Sequence, residues 1–256
     1  MKQNIKKIYG VIGFPLIHSF SATFFNRKFQ AENTDAEYRN FELPDIEALP
    51  GILTGESRLA GLNVTIPYKE QVIQFLDDLD PLAARAGAVN VIKILPGKGG
   101  KVSPLFRLVG YNSDVMGFTD SMRPLLKEGH RRALVLGTGG ASKAVCVGLD
   151  MLGVEATLVS RTKRRGVLTY GDLTPEVMAD HTVIVNTTPL GMYPNVDTAP
   201  DIPYDLITPQ HLCYDLLYNP DVTTFMRYSQ AHGATVKNGL EMLLLQAFRS
   251  WDIWQQ

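Results

Sequence analysis

Apolar and polar residues come in short bursts along the first part of the chain, and the period of each burst names an element. KIYGVIG (residues 7–13) reads as a strand, SATFFNRKFQAEN (21–33) as a helix and AEYRNFEL (36–43) as a second strand. LAGLNVTIP (59–67) and AVNVIKIL (88–95) predict further strands, with KEQVIQFLDDLD (69–80) as an amphipathic helix between them. In LPGKGGKVSPLFRLVGYNSD (95–114) the glycine-rich PGKGGK predicts a hairpin-like loop before a last strand that reaches Asp114. From residue 131 the style changes. RRALVLGTGGASKAVCVGLDMLGVEATLVSR is an apolar strand, a glycine turn, a helix of about a dozen residues and a second apolar strand, which is a βαβ unit. TVIVNTT (182–188), LCYDLLY (212–218) and ATVKNG (234–239) continue the same sheet, whereas SRTKRRGVLTYGDLTPEVMADH (160–181) is too irregular for a full crossover helix. GLEMLLLQAFRSWDIW (239–254) has the spacing of a long closing helix.

This order predicts an α/β chain of two lobes: an N-terminal α/β domain over residues 1–113 and a Rossmann-like domain over 114–237. The closing helix, 238–256, returns to complete the first lobe and makes it discontinuous in sequence. A hinge is expected where the chain passes between lobes, near residues 114 and 237.

Composition narrows the partners. Lys plus Arg is 25 against 26 for Asp plus Glu, so no overall field favours nucleic acid or an anionic membrane, and a small molecule is the expected partner. Hydrophobic residues make up 45 % of the 256, enough for a substantial core and against disorder. The N-terminal MKQNIKKIYGVIGFPL is basic, but its apolar stretch is broken by Gly10, Gly13 and Pro15 and no cleavage site follows, so the expectation is a cytoplasmic protein. Cys146 and Cys213 lie in apolar surroundings without metal-ligand spacing and read as buried free thiols; no metal is expected.

The chemistry-bearing motifs follow. GTGGAS puts Gly137 and Gly139 at the first two positions of a dinucleotide-binding G-x-G-x-x-G/A turn, with Ser142 where the third small residue belongs. A strand before the turn and a helix after it direct free backbone N–H groups and the helix dipole at a pyrophosphate. NAD-specific sites carry an acid at the end of the second strand, but here the chain reads SRTKRR. Arg161, Lys163, Arg164 and Arg165 suit the extra phosphate of NADP. In NVTIPYKEQV (63–72) Lys69 falls in the first turn of the expected helix, where a cation meets the positive end of the helix dipole. That poor placement invites a functional role, with a solvated surface lysine as the alternative.

Taken together the motifs resemble the shikimate dehydrogenase family along nearly the whole chain. The similar segments, in order, are GFPLIHSFSATFFN, GLNVTIPYK, AGAVNVI, GYNSDVMGF, GTGGAS, SRT, NTTPLGM, YDLLYNP and NGLEMLLLQAFRSWDIW. The resemblance implies NADP-dependent interconversion of 3-dehydroshikimate and shikimate, by a monomer or homodimer. It makes Lys69 the acid/base group and Asp114 the carboxylate that orients it. Ser19 and Ser21, two apart on an extended stretch, donate to the substrate carboxylate. Asn63, Thr65 and Asn90 ring the hydroxyls, and Tyr218 and Gln246 complete the pocket. The implied cofactor contacts are Gly137, Gly139, Gly140, Ala141, Ser142, Arg161, Thr162, Arg165, Thr187 and Gly239. His18 beside the serines lacks the G-x-S-x-G elbow of a hydrolase. Three positions depart from the family pattern: Ser113 and Val91 stand where Thr is usual, and Ser160 where Asn is usual. Two other readings stay open, a quinate/shikimate dehydrogenase with relaxed cofactor use and a non-catalytic NADP-sensing protein of the same fold.

Overall fold

The computed structural model describes residues 6–16, 20–97 and 99–256. Ser19 and His18 lie outside the described residues. Twelve strands and eight α-helices follow one another among the described residues. The first part contains β1 (Lys7–Gly13), α1 (Phe20–Ala31), β2 (Ala36–Glu42), α2 (Leu49–Gly55), β3 (Leu59–Val64), β4 (Asp78–Leu79), α3 (Pro81–Ala86), β5 (Val91–Pro96) and β6 (Phe106–Tyr111). Then come α4 (Ser113–Met122), β7 (Arg132–Leu136), α5 (Gly140–Met151), β8 (Glu155–Ser160), β9 (Leu168–Thr169), α6 (Pro175–Asp180) and β10 (Val183–Asn186). The chain ends with β11 (Leu212–Asp215), α7 (Thr224–Ala231), β12 (Thr235–Lys237) and α8 (Leu240–Gln255).

Two compact units result, one formed by Met1–Ser113 with Ala247–Gln256 and the other by Asp114–Gln246. The second crossing thus falls inside α8, farther along than residue 238. The first unit holds a mixed sheet in the order β2-β1-β3-β5-β6-β4. Here β1 runs parallel to β2 and β3, while β5 is antiparallel to both β3 and β6. Successive residues of β1 serve opposite faces, as a pleated strand requires: Ile8 and Ile12 join one apolar cluster, Tyr9 and Val11 the other. The second cluster includes the last turns of α8, where Trp254 donates its indole N–H to the carbonyl of Ile92 at 3.1 Å.

The second unit holds an all-parallel sheet, β12-β11-β10-β7-β8-β9. Its first strand in sequence, β7, lies at the centre, with the next two on one side and the last three on the other. This is the doubly wound order, whose switch point lies between β7 and β10. Both faces of β7 are covered: Ala133 and Val135 enter one cluster, Leu134 and Leu136 the other. α6 is a short crossover of six residues, in keeping with the irregular sequence that precedes it.

Two expected elements change. Residues 69–80 do not form an amphipathic α-helix. A 3₁₀ helix spans only Gln71–Phe75 and gives way to β4. Asp77 causes the break: its carboxylate accepts from the backbone N–H groups of Leu108 and Lys101, each at 2.7 Å, and draws the chain alongside β6. Lys69 therefore precedes the N-cap residue Glu70 of a short 3₁₀ turn and meets no helix dipole of consequence. Nor does the last strand of the first unit reach Asp114. β6 stops at Tyr111, and Asp114 sits in the first turn of α4, where an acid suits the dipole.

Candidate functional site

The sequence-predicted residues fall into two groups, one in each unit. In the first, Lys69 is held by its backbone. Tyr68, one residue earlier, is buried in the core with its hydroxyl donating to the carbonyl of Leu43 at 2.5 Å, and the Lys69 carbonyl accepts from Val89 N at 2.7 Å. The half-buried lysine therefore leaves the end of β3 from a fixed base. Thr65, half-buried on the same connection, donates its backbone N–H to Ile12 at 2.9 Å.

Asn63 and Asn90 come together beneath this connection. Asn63 Nδ2 donates to the Asn90 carbonyl at 3.1 Å, and Asn63 Oδ1 accepts from the Tyr38 hydroxyl at 2.8 Å. Asn90 faces the start of α4: its Oδ1 accepts from Ser113 N at 2.7 Å and its Nδ2 donates to Ser113 Oγ at 2.9 Å. A side chain distant in sequence thus caps the helix that carries Asp114, which is itself 7 % exposed. Ser113 supplies the hydroxyl for this contact, so its departure from threonine removes only a methyl group. Burial pushes the Tyr38 phenol far above its ordinary range, and Ser21, at the start of α1, opposes that rise. Val91 packs wholly buried among aromatic side chains, where a threonine hydroxyl would need a partner.

In the second unit the glycine turn occupies the switch point. Gly137 follows β7 with φ of 114°, a conformation that favours glycine. Thr187 follows β10 and ties the two strand ends together, with both its backbone N–H and its hydroxyl donating to the Leu136 carbonyl at 3.0 and 2.7 Å. Gly139 is the N-cap of α5 and offers no side chain to cap it, so the first N–H groups of that helix, from Gly140 and Ala141 onward, are not taken by a capping side chain. Ser142, in the place of the third small residue, is buried and turns its hydroxyl back onto the Gly139 carbonyl at 2.7 Å. These are the features that a pyrophosphate requires, so the residues present fit a dinucleotide.

The basic run beyond β8 is exposed throughout Arg161, Thr162, Lys163, Arg164 and Arg165. Ser160 Oγ accepts from Thr162 N at 3.3 Å, so the substituted position still steadies the turn. Gly239 lies against the β11 loop: a β-carbon there would come within 2.0 Å of the Leu216 carbonyl oxygen, and its N–H donates to Leu217 at 2.9 Å. Tyr218, next in that loop, is 39 % exposed, and partial burial raises its phenol above the ordinary range. Gln246 is half-buried on α8 with its amide folded onto the Leu243 carbonyl at 2.9 Å. Cys213 is buried and Cys146 half-buried; desolvation pushes their thiols up to about 12 and about 11.

The model of the shikimate dehydrogenase substrate binding domain matches residues 11–92. The shikimate dehydrogenase (NADP(+)) of Desulforamulus reducens is 35 % identical, over 97 % of this chain and 89 % of that protein. The chain belongs to the shikimate dehydrogenase family. Among solved family structures, that of Thermus thermophilus in complex with NADP(H) and shikimate is 30 % identical with a TM-score of 0.81, covering 97 % of this chain and 93 % of that one. The Listeria monocytogenes shikimate 5-dehydrogenase, in complex with shikimate and NAD, has a TM-score of 0.84 at 25 % identity, covering 98 % and 92 %. The family motifs did not mark two residues that the structure brings into the polar group of the first unit. Tyr38 looks from the sequence like any inward residue of β2. Ser250 follows Gln246 by four positions on α8, a spacing that places both on one helix face and was legible in principle.

Proposed function

We propose that this chain catalyses the reversible, NADP-dependent reduction of 3-dehydroshikimate to shikimate. The likeness to shikimate dehydrogenases (NADP(+)) over 97 % of the chain carries this reading, and the site residues give it a chemistry. The unit Met1–Ser113 with Ala247–Gln256 takes the substrate, and Asp114–Gln246 takes the cofactor. Ser19 and Ser21 donate to the single carboxylate, while Asn63, Thr65, Asn90, Tyr218 and Gln246 serve the hydroxyl side. Gly137, Gly139, Gly140, Ala141 and Ser142 present backbone N–H groups to the pyrophosphate. Arg161, with Thr162 and Arg165, takes the 2′-phosphate, and Thr187 and Gly239 shape the rest of the cofactor site.

NADPH, when bound, supplies the hydride that the carbonyl carbon accepts. Lys69 delivers the matching proton: its ammonium donates to the carbonyl oxygen as that oxygen gains charge, and its neutral amine takes the proton back in the oxidative direction. Asp114 orients the lysine and the reacting hydroxyl. Proton transfer needs such a pair and cofactor sensing does not, which sets this reading above a regulatory protein of the same fold.

The test is direct. Purified protein is mixed with NADP⁺ or NAD⁺ and with shikimate or quinate, and the absorbance of the reduced nicotinamide is followed. Rapid reduction with NADP⁺ and shikimate is the expected result. Equal rates with quinate and NAD⁺ would instead favour a quinate/shikimate dehydrogenase, and no reduction with any pair would defeat the proposal.

A further inference from the structure

Asn63 has almost nothing left to offer a ligand. The Asn90 carbonyl can only accept, so the Asn63 nitrogen must face it, at 3.1 Å, and the oxygen must point the other way, to the Tyr38 hydroxyl at 2.8 Å. Its second N–H goes to Ser250 Oγ at 3.0 Å. Both donors are thus spent within the protein, leaving one lone pair on Oδ1. Asn63 can accept from a substrate hydroxyl and cannot donate to one.

Ser250 also reaches Ser113 Oγ, at 3.2 Å, and Ser113 holds the Asn90 amide by two hydrogen bonds. Both serines are wholly buried, so neither hydroxyl is exposed to solvent. At the other end the Tyr38 ring stacks on Phe25, with centroids 4.8 Å apart and planes at 12°, which fixes the phenol position. A continuous hydrogen-bonded chain therefore runs Tyr38, Asn63, Ser250, Ser113, Asn90, through the two asparagines assigned to the hydroxyl side of the substrate.

We propose that Tyr38 and Ser250 are positioning residues for the substrate: they hold the Asn63 amide in one orientation and, through Ser113, link it to Asn90, so that the pocket presents a fixed pattern of donors and acceptors. The inference rests on the reading of this site as a shikimate site. Neither residue touches the reacting atoms. Without Ser250 Oγ the Asn63 N–H is left unpaired in a dry site; without the Tyr38 hydroxyl the amide oxygen loses its anchor.

Calorimetric titration of wild type, Tyr38→Phe and Ser250→Ala with shikimate, alongside NADP⁺ titration, steady-state kinetics and thermal melts, tests this. Tyr38→Phe keeps the stacked ring and serves as the milder variant should Ser250→Ala fold poorly. The expected result is shikimate binding weakened about tenfold in both variants, with kcat at saturation and NADP⁺ affinity within about twofold of wild type, and recovery of binding in Ser250→Thr. Variants that melt earlier yet bind shikimate as wild type does would overturn the proposal, as would parallel loss of shikimate and NADP⁺ binding. A wild-type protein that does not bind shikimate would instead defeat the underlying reading of the site.

Discussion

A β-carbon placed on Gly137 would lie 2.6 Å from Thr187 Oγ1, the hydroxyl that bonds the carbonyl of Leu136. The two residues sit at the C-terminal ends of adjacent parallel strands, β7 and β10, paired in register from Ala133 with Val183 to Leu136 with Asn186. Gly137→Ala meets two penalties at once, an unfavourable positive φ and a displaced Thr187. The backbone term alone is about 1–2 kcal/mol. The expected outcome is NADPH binding weakened by roughly tenfold or more, with shikimate affinity unchanged, both measured by titration. Undiminished NADPH affinity would remove the turn from the cofactor site.

The backbone of Lys69 is fixed by ties that do not involve its side chain: Tyr68 is sunk in the core and the Lys69 carbonyl pairs with Val89 N. Lys69→Ala should accordingly fold with a melting temperature close to wild type. Its kcat for shikimate oxidation is expected to fall by about 10²-fold or more, the scale of general acid–base catalysis, with little change in shikimate KM. Unchanged kcat rejects the assignment.

What local sequence encodes locally was readable. The Gly137 turn, the strands around it and the closing helix each depend on neighbours within a few residues. Features set by distant partners were not. The break in the expected helix over 69–80 comes from Asp77 binding the backbone of Leu108 and Lys101. The start of α4 is capped by Asn90, 23 positions away. Tyr38 and Ser250 join the site only because α1, β2 and α8 converge on β3, a convergence that no single segment announces. α7 is a different case: no element is expected over residues 219–233, yet a helix forms there with Thr223 accepting from Met226 N as an ordinary N-cap.

In the proposed reading, cofactor choice depends on the basic run after β8. The side chains of Arg161 and its neighbours are exposed, and Ser160 with the Arg164 backbone steadies the turn, so Arg161→Ala should leave stability intact. It should raise the KM for NADPH about tenfold or more while leaving that for NADH within about twofold, since a charge-assisted bond to a phosphate is worth about 1.5–3 kcal/mol. Steady-state kinetics with both cofactors checks this. Equal losses for the two would place Arg161 away from the 2′-phosphate.

Asp215 makes the stability of the second unit depend on pH. It is wholly buried at the end of β11, accepting from Thr223 Oγ1 at 2.6 Å, Leu217 N at 3.0 Å and Asn186 Nδ2 at 3.1 Å, and so ties the β11 loop to the loop that carries Thr187. Desolvation outweighs these donors and raises the carboxyl to about 6, against an ordinary 3.8. A folded-state pKa above the unfolded value means that the folded protein holds the proton more tightly. The stability from this group is therefore complete below about pH 4, declines as pH rises towards about 6, and is gone above that, a total of order 2–3 kcal/mol. Asp215→Asn keeps an acceptor for Leu217 and Asn186 and cannot ionise. The difference in unfolding free energy between wild type and Asp215→Asn, measured by urea titration from pH 4.5 to 8, should shift steadily in favour of the variant up to about pH 6.5 and then level off. A difference that stays constant across that range would show that the buried carboxylate ionises in the folded protein as readily as in the unfolded chain.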